Sequence, residues 1–387
     1  MSIKKTIILA LILRLLIAPF FYHPDIKSQN FHFQYLSKGV LNIYQYIADN
    51  KPHLPYRDTF NYLPLTYFSL GIYHTLAKPF FPQKLTLWLN DWSATQNSYD
   101  SFPFFMLILK LPFLVFDIGI ALILLSLYGK KLFFIWLFNP LSLYLIYILG
   151  NFDIVPVFFS LLSWYLLRRK LPLFSFFSLG IATAFKLYPL LFLPFFLFYK
   201  PTHLIKNIIF FSIPLIFTVL PFIGSQPFIL SLTTSGLSQK IIETKIGIVP
   251  LFPIIYFFIL YLYFRSRLLE ESMVFIFLSF VVLVDFHAQW LLWFLPFILP
   301  AIAKSTPRII IFVLLSCLCV VLIILTNDNY LFWGHLIPIN PAFISLRSPY
   351  QLLRYRYFID PHIFQDYIKI ILGFLSLSFF YNPNVKN

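Results

Sequence analysis

Asp25 stands first among the side chains whose type and place could do chemistry. It follows an apolar stretch, Thr6 to Tyr22, and has His23 and Lys27 beside it. A carboxylate at the mouth of a membrane span can act as a general base on a hydroxyl; the plainer reading is a solvated loop acid. Lys186 interrupts the apolar run Ala182-Thr183-Ala184-Phe185-Lys186-Leu187-Tyr188-Pro189. It either snorkels to the interface or holds a lipid-linked phosphate as a point charge. Asp153 closes a third polar cluster, Gly150-Asn151-Phe152-Asp153.

Further along, His287 and Gln289 sit in His287-Ala288-Gln289-Trp290, with Trp293 and Pro296 following. This stretch is either an aromatic belt at the membrane interface or a polar patch facing a headgroup. Arg347, Arg354 and Arg356 alternate with Tyr350, Tyr355 and Tyr357, a pattern that suits interfacial anchoring or an anionic headgroup. Arg14 and Asp117 each interrupt an apolar run, and a buried pair between them satisfies both. Zinc-ligand spacing, a P-loop, a glycine-rich dinucleotide turn and a nucleophile elbow are all missing from the sequence. Cys317 and Cys319 are two positions apart in an apolar run, so on a helix they point apart and make neither a disulfide framework nor a metal site.

Whatever positions these groups must live in lipid. The chain has 387 residues, 60% of them hydrophobic and 11% charged, with a mean hydropathy of +0.82. Soluble domains average about 45–50% apolar and about 25% charged, so this chain cannot hide its apolar surface within itself. The sequence predicts an all-α polytopic membrane protein with about 10–12 transmembrane helices. Phe 50 and Tyr 24 suit helix cores and interface belts. The net charge of +15 is assigned to loops that set orientation and not to nucleic acid, since no basic run of the usual length occurs.

Apolar stretches between charged loops give the candidate spans. The first, with Lys4 and Lys5 ahead of it, is taken as an uncleaved span, because Ala18-Pro19-Phe20-Phe21 offers no small-residue cleavage site. Lys130-Lys131, Arg168-Arg169-Lys170, Lys200, Lys206, Arg265, Arg267, Lys304, Arg308 and Lys386 join Lys4 and Lys5 on one face, opposed only by Glu270 and Glu271. That face is assigned to the cytoplasm. The other face takes long loops near 23–62, 224–247 and 327–366, with acids such as Asp25, Asp58 and Asp328. With Met1 and Lys130 both inside, Tyr62 to Leu76 cannot be an ordinary single span. It is expected to re-enter or lie at the interface, which leaves the topology of 62–102 open. Leu171 to Tyr199, broken by Lys186 and three prolines, fits a hairpin with Lys186 near its outer turn. No internal repeat or linker divides 1–387, which is read as a single domain.

These motifs, in this order, resemble the multispanning glycosyltransferases of the GT-C fold that use polyprenyl-phosphate sugars, and in particular the mannosyltransferase family that adds the first mannose in GPI-anchor synthesis, with its prokaryotic relatives. Asp25 matches the family's catalytic acid in the long first extracytoplasmic loop. Gly39 to Tyr44 and Tyr62-Leu63-Pro64-Leu65 match the end of that loop. Asn139-Pro140, Gly150 to Asp153 and the basic turn at Arg168 match a central helix pair. Lys186-Leu187-Tyr188-Pro189 matches a Lys-x-Tyr-Pro element, and His287 to Pro296 a late Gln-Tyr and Trp element. The resemblance covers about Asp25 to Pro300. One departure stands out: the family carries two acids one residue apart, whereas Asp25-Ile26-Lys27 keeps one. That argues against a two-acid metal site and against a true GPI substrate, although a divalent metal stays open as the only cofactor.

The resemblance implies a hexosyltransferase, with mannose as the expected sugar, that inverts the anomeric carbon of a polyprenyl-phosphate donor. The acceptor would be an extracytoplasmic glycan or glycolipid, and the partners lipid and not nucleic acid. Asp25 would be the base. Lys186, His287, Gln289, Arg354 and Arg356 would face the donor phosphate or headgroup, with Tyr62, Asp153 and Tyr188 as further site residues. Two other readings are a flippase or transporter of a lipid-linked sugar, and a scaffold subunit in which Asp25 is idle. A transporter would gather its polar residues near mid-membrane; here they map to the outer face.

Overall fold

The computed structural model of the chain describes residues 2–56, 59–92, 101–199, 203–233, 244–246, 249–266, 268–284, 287–303 and 306–377. Asp58, Lys200, Arg267, Lys304 and Lys386, used above to orient the chain, lie outside them. The described residues are almost wholly helical, with a single antiparallel pair of two-residue strands, β1 (Lys245–Ile246) and β2 (Val249–Pro250).

Helix α1 (Ile3–Ile17) starts on Ser2, whose hydroxyl accepts the Lys5 N–H at 3.3 Å. The chain then bends by 92° into α2 (Pro24–Phe33). Proline opens this helix and several later ones, where its missing N–H costs nothing. α3 (Ile43–Asn50), α4 (Pro64–Ala77) and α5 (Gln83–Asn90) stay at the same end of the bundle as α2. The stretch expected as a long outer loop, 23–62, is therefore itself largely helical.

The long helices run end to end. α6 (Phe102–Tyr128) leads from the α2 end to the opposite end, where the Tyr128 hydroxyl meets Glu270 at 3.3 Å. α7 (Lys130–Phe138) and α8 (Pro140–Leu143) return, bent by 47° at Asn139-Pro140, and α8 continues into a π-helical turn, Tyr144–Ile148. α9 (Ile154–Arg168) goes back to the far end, and α10 (Pro172–Phe185) returns. Lys186 is extended (φ −155°, ψ 142°), and a 3₁₀ turn then leads into α11 (Leu193–Tyr199), whose Tyr199 packs on Trp164 near the far end. The broken hairpin expected from the sequence is thus present, with Lys186 at its turn.

α12 (Leu204–Val219) is pressed against α10 at Gly180, where a Cβ would come within 2.1 Å of the Phe211 carbonyl oxygen. α13 (Gln226–Thr233) packs on α3. α14 (Leu251–Ser266), α15 (Leu269–Leu283), α16 (Leu291–Ile302), α17 (Thr306–Ile324) and α18 (Pro361–Leu377) keep alternating, joined at their ends by contacts such as Arg308 to the Ala301 carbonyl at 3.2 Å. Of the basic residues assigned to the cytoplasmic face, Arg168 and Arg308 lie at the far end, against Glu270 and Glu271.

The segment expected to re-enter or lie at the interface, Tyr62 to Leu76, falls largely in α4. Its first turn donates from the Thr66 hydroxyl to the Phe185 carbonyl at 2.8 Å. Its last turns reach the Ile108 carbonyl through the Tyr73 hydroxyl (2.6 Å) and Asn30 through His74 (2.7 Å). Both ends therefore stay at the α2 end.

Three described helices, within 102–128, 204–222 and 307–324, are long and apolar enough to cross a membrane, and up to five if each bent pair counts as one. Their outward faces are apolar and bare: Phe217 is 81% exposed, Ile205 76% and Val115 72%. A surface of that kind needs an apolar solvent or a partner.

Between α1, α6, α7 and α8 the one pair of charges expected to be structural is in place. Arg14 Nε donates to Asp117 Oδ2, and both side chains are fully buried. Asp117 also accepts from Trp136 Nε1 at 2.7 Å and the Tyr147 hydroxyl at 2.8 Å. Arg14 Nη1 reaches the Ala10 and Leu137 carbonyls. Breaking such a pair leaves an uncompensated charge and costs about 3–5 kcal/mol, whereas replacing both partners by apolar groups is close to neutral. Asp117→Leu should therefore lower the unfolding midpoint in detergent strongly, and Arg14→Leu/Asp117→Leu should recover most of the loss. Equal loss in the single and double variants would contradict this.

Candidate functional site

The turn Gly150 to Asp153 joins the π-helical turn to α9 and carries two polar centres, Asn151 and Asp153, on either side of Phe152. Gly150 adopts φ +69°, a left-handed conformation that glycine reaches without a Cβ penalty. Asn151 Nδ2 approaches Asp25 Oδ2 at 3.5 Å, and Asn151 Oδ1 accepts the Asp153 N–H at 3.2 Å. Asp153, fully buried, accepts Lys186 Nζ on both oxygens, at 2.7 and 3.0 Å, and Trp293 Nε1 at 2.8 Å. So Asn151 faces the candidate base and Asp153 holds the candidate cation.

Each partner is placed by its own element. Asp25 lies in the first turn of α2, with its side chain 35% exposed. Lys186 is freed by the end of α10: Pro189 cannot continue a helix and restricts the residue before it, so the backbone turns Lys186 toward Asp153. Trp293 comes from the first turn of α16 and stacks on Tyr188 with centroids 4.1 Å apart and planes 4° apart. The Lys186 ammonium also stands 5.1 Å from the Trp293 ring, 5.6 Å from Phe152 and 5.9 Å from Tyr62. These rings wall a cavity of about 200 Å³ lined by Asn61, Tyr62, Lys186, His287, Gln289 and Trp290 among others. The Tyr62 hydroxyl accepts from Gln29 on α2 at 3.3 Å.

Seven of the nine residues singled out from the sequence therefore fall into one continuous region: Asp25, Tyr62, Asp153, Lys186, Tyr188, His287 and Gln289. Arg354 and Arg356 do not join it. They are exposed, outside the residues that line the cavity, and Arg354 pairs with Asp360 at 3.5 Å. Alternating Arg and Tyr gave no hint that the segment folds outward. Lys27 is not free either: its ammonium donates to the Asp91 carbonyl at 2.6 Å and lies 4.8 Å from both Trp88 and Trp92.

Other members of the region went unread in the sequence. His23, noted only as a neighbour of Asp25, sits between two carboxylates: Nδ1 is 3.5 Å from Asp25 Oδ1, and Nε2 is 3.7 Å from Asp328 Oδ2. His335, from the same far loop, reaches the Tyr22 carbonyl at 3.2 Å and the Tyr144 hydroxyl at 3.0 Å. Lys110 is buried in α6. Nothing local marks His335, but a lysine inside a long apolar run was a signal in plain view.

Burial opposes charging of His23, and the carboxylates of Asp25 and Asp328 more than offset it, so its pKa is raised. Burial likewise opposes charging of Asp328, yet the His23 partner and the Tyr330 N–H hold its pKa below the usual carboxylate range. Burial and the nearby His23 push His335 down to about 3, leaving it neutral. Among the described residues no three His, Cys, Asp or Glu side chains converge to hold a metal ion. Comparison with protein-family models, with curated proteins and with solved structures finds no match.

The His23–Asp328 contact ties residues 328–337 to the start of α2, and its pH dependence has a definite sign. The raised His23 pKa gives a contribution fully present below the ordinary value of 6.5 and lost as pH rises through the raised value. The lowered Asp328 pKa gives a contribution present above the ordinary 3.8 and lost as pH falls through the lowered value. Amide exchange at 329–337 should be slowest between these limits and accelerate at higher pH beyond the intrinsic base-catalysed increase. His23→Gln should remove that excess, and an unchanged excess in the variant would refute the link.

Proposed function

We propose that the chain is a multi-pass membrane hexosyltransferase of the GT-C type, moving a hexose, with mannose expected, from a polyprenyl-phosphate sugar to an extracytoplasmic acceptor with inversion. One observation carries the reading: a partly exposed carboxylate and a lysine on an aromatic-walled cavity are tied to two positions of a single turn, Asn151 and Asp153, with only Phe152 between them. In this reading the far, basic end faces the cytoplasm, α2 and α4 lie at the outer interface, and the end-to-end helices cross the bilayer.

The acceptor hydroxyl attacks the anomeric carbon and Asp25 takes its proton. The bond from that carbon to the phosphate oxygen breaks, and the polyprenyl phosphate leaves with the electron pair. Asp25 is suited to the base role because it keeps access to solvent while Asn151 and His23 approach its two oxygens. Lys186 gives two N–H groups to Asp153; the third is available to the leaving phosphate. Tyr62, Trp290 and Trp293 offer ring faces to a sugar, and Asn61, His287 and Gln289 offer polar edges.

Against a transporter stands the state of the mid-depth charges. Arg14 and Asp117 are paired with each other and fully buried. A substrate path through the bundle would need polar groups around an open midpoint.

Asp25→Asn should lower transfer from polyprenyl-phosphate sugars by about 10²–10⁴-fold, the usual share of a general base, with the melting transition unchanged; full activity would dismiss Asp25 as the base. Lys186→Ala should raise the donor KM well above any change in acceptor KM. If donor KM does not move, Lys186 serves only to neutralise Asp153.

A further inference from the structure

We propose that Lys110 is a positioning residue that sets where the Asp25 carboxylate stands against Asn151, an inference that rests on the reading of Asp25 as the base.

Lys110 is 1% exposed within the 27-residue apolar helix α6. A charge there is costly unless every donor is met. Its ammonium meets three acceptors, the carbonyls of Ala18 at 3.0 Å, Phe21 at 2.7 Å and Tyr147 at 2.6 Å. All three are backbone, so no carboxylate is consumed. Two of them end the first span, and the third lies in the π-helical turn. Carbonyls at helix ends carry partial negative charge and favour a cation, and π turns leave such groups free at functional positions.

What these carbonyls precede gives the arrangement its meaning. Only Tyr22, His23 and Pro24 separate Phe21 from Asp25, and only Ile148, Leu149 and Gly150 separate Tyr147 from Asn151. The two chain segments that bring Asp25 and Asn151 to 3.5 Å therefore hang from one ammonium. The lysine stem is clamped from the side as well. A Cβ on Gly150 would come 2.8 Å from Lys110 Cε and 3.2 Å from Ile26 Cδ1, so the turn, the lysine and α2 touch at one point. Lysine suits this place because its three N–H groups rotate about a point charge, whereas the arginine fork is planar.

The test uses the full chain in detergent or nanodiscs, with two readouts. The first needs no substrate: carbodiimide labelling of Asp25 followed by mass spectrometry, with exposed Asp360 as the internal reference. The second is the kcat and KM of transfer from a panel of polyprenyl-phosphate sugars. In Lys110→Met that keeps the wild-type melting transition, labelling of Asp25 relative to Asp360 should change by about threefold or more. A misplacement near 1 Å should lower kcat about 10²-fold, with donor KM altered by less than about threefold. A folded Lys110→Met with unchanged labelling and unchanged kcat overturns the proposal, as does an equal change in kcat and donor KM. Should Lys110→Met not fold, Lys110→Arg decides by the same readouts, since it keeps the charge while its planar fork cannot meet the three carbonyls as the ammonium does. Loss of the fold in both variants would also overturn it, because Lys110 would then hold the bundle as a whole. If the wild type transfers no sugar from the panel, the proposed function falls while the labelling still decides whether Lys110 positions Asp25.

Discussion

A charge inside an apolar helix bundle must find its hydrogen-bond partners within the chain, because neither lipid tails nor packed Phe and Leu can supply them. Arg14 and Lys110, both buried, and Lys186 at the cavity wall meet this demand in three ways. Arg14 takes a carboxylate and two helix carbonyls. Lys110 takes three carbonyls and no acid. Lys186 takes a buried carboxylate that Trp293 also binds. In each case the partners come from elements distant in sequence, so satisfying the charge also fixes how those elements meet.

The consequences converge on the Gly150–Asp153 turn. It hangs from Lys110 through Tyr147, faces Asp25 through Asn151 and holds Lys186 through Asp153. A turn tied at three places leaves little freedom to the residues it presents, which is what a preorganised site requires. Part of the remaining N–H capacity is left over: Arg14 Nη2 has no hydrogen-bond partner among the described residues, and its guanidinium lies 5.6 Å from the Tyr147 ring. The network around Asp117 is therefore close to saturated without being complete.

The rest of the molecule divides by end. At one end the short helices α2 to α5 and residues 328–337 build a roof over the ends of the long helices, with an aromatic cluster of its own around Tyr22, Trp88 and Phe102. At the other end acids are scarce and paired, Glu270 with Arg168 and Glu271 with Arg308. The helices between expose apolar side chains outward, Phe217, Phe257 and Phe374 among them, while stacks such as Tyr188 on Trp293 lie inside.

Much of this was legible in the amino-acid sequence, because composition and spacing act locally. Apolar run lengths set the helical class, prolines at 64, 140, 172 and 189 mark starts and breaks, and the parity of spans singled out Tyr62 to Leu76 as a segment to re-enter or lie at the interface. Asp25, Asp153 and Lys186 stood out as charges beside apolar runs, and Arg14 with Asp117 as a pair. What the sequence did not contain was which charge meets which. Lys186 reads equally as a snorkelling cation or a phosphate ligand until Asp153 and Trp293 are seen around it. Arg354 and Arg356 read as site residues until their segment folds outward. His23 gains its second carboxylate from Asp328, and Lys110 its acceptors from two separate turns, only once the bundle closes. Local patterning follows from the chain itself; the pairing of buried charges follows from long-range packing, and only the tertiary structure decides it.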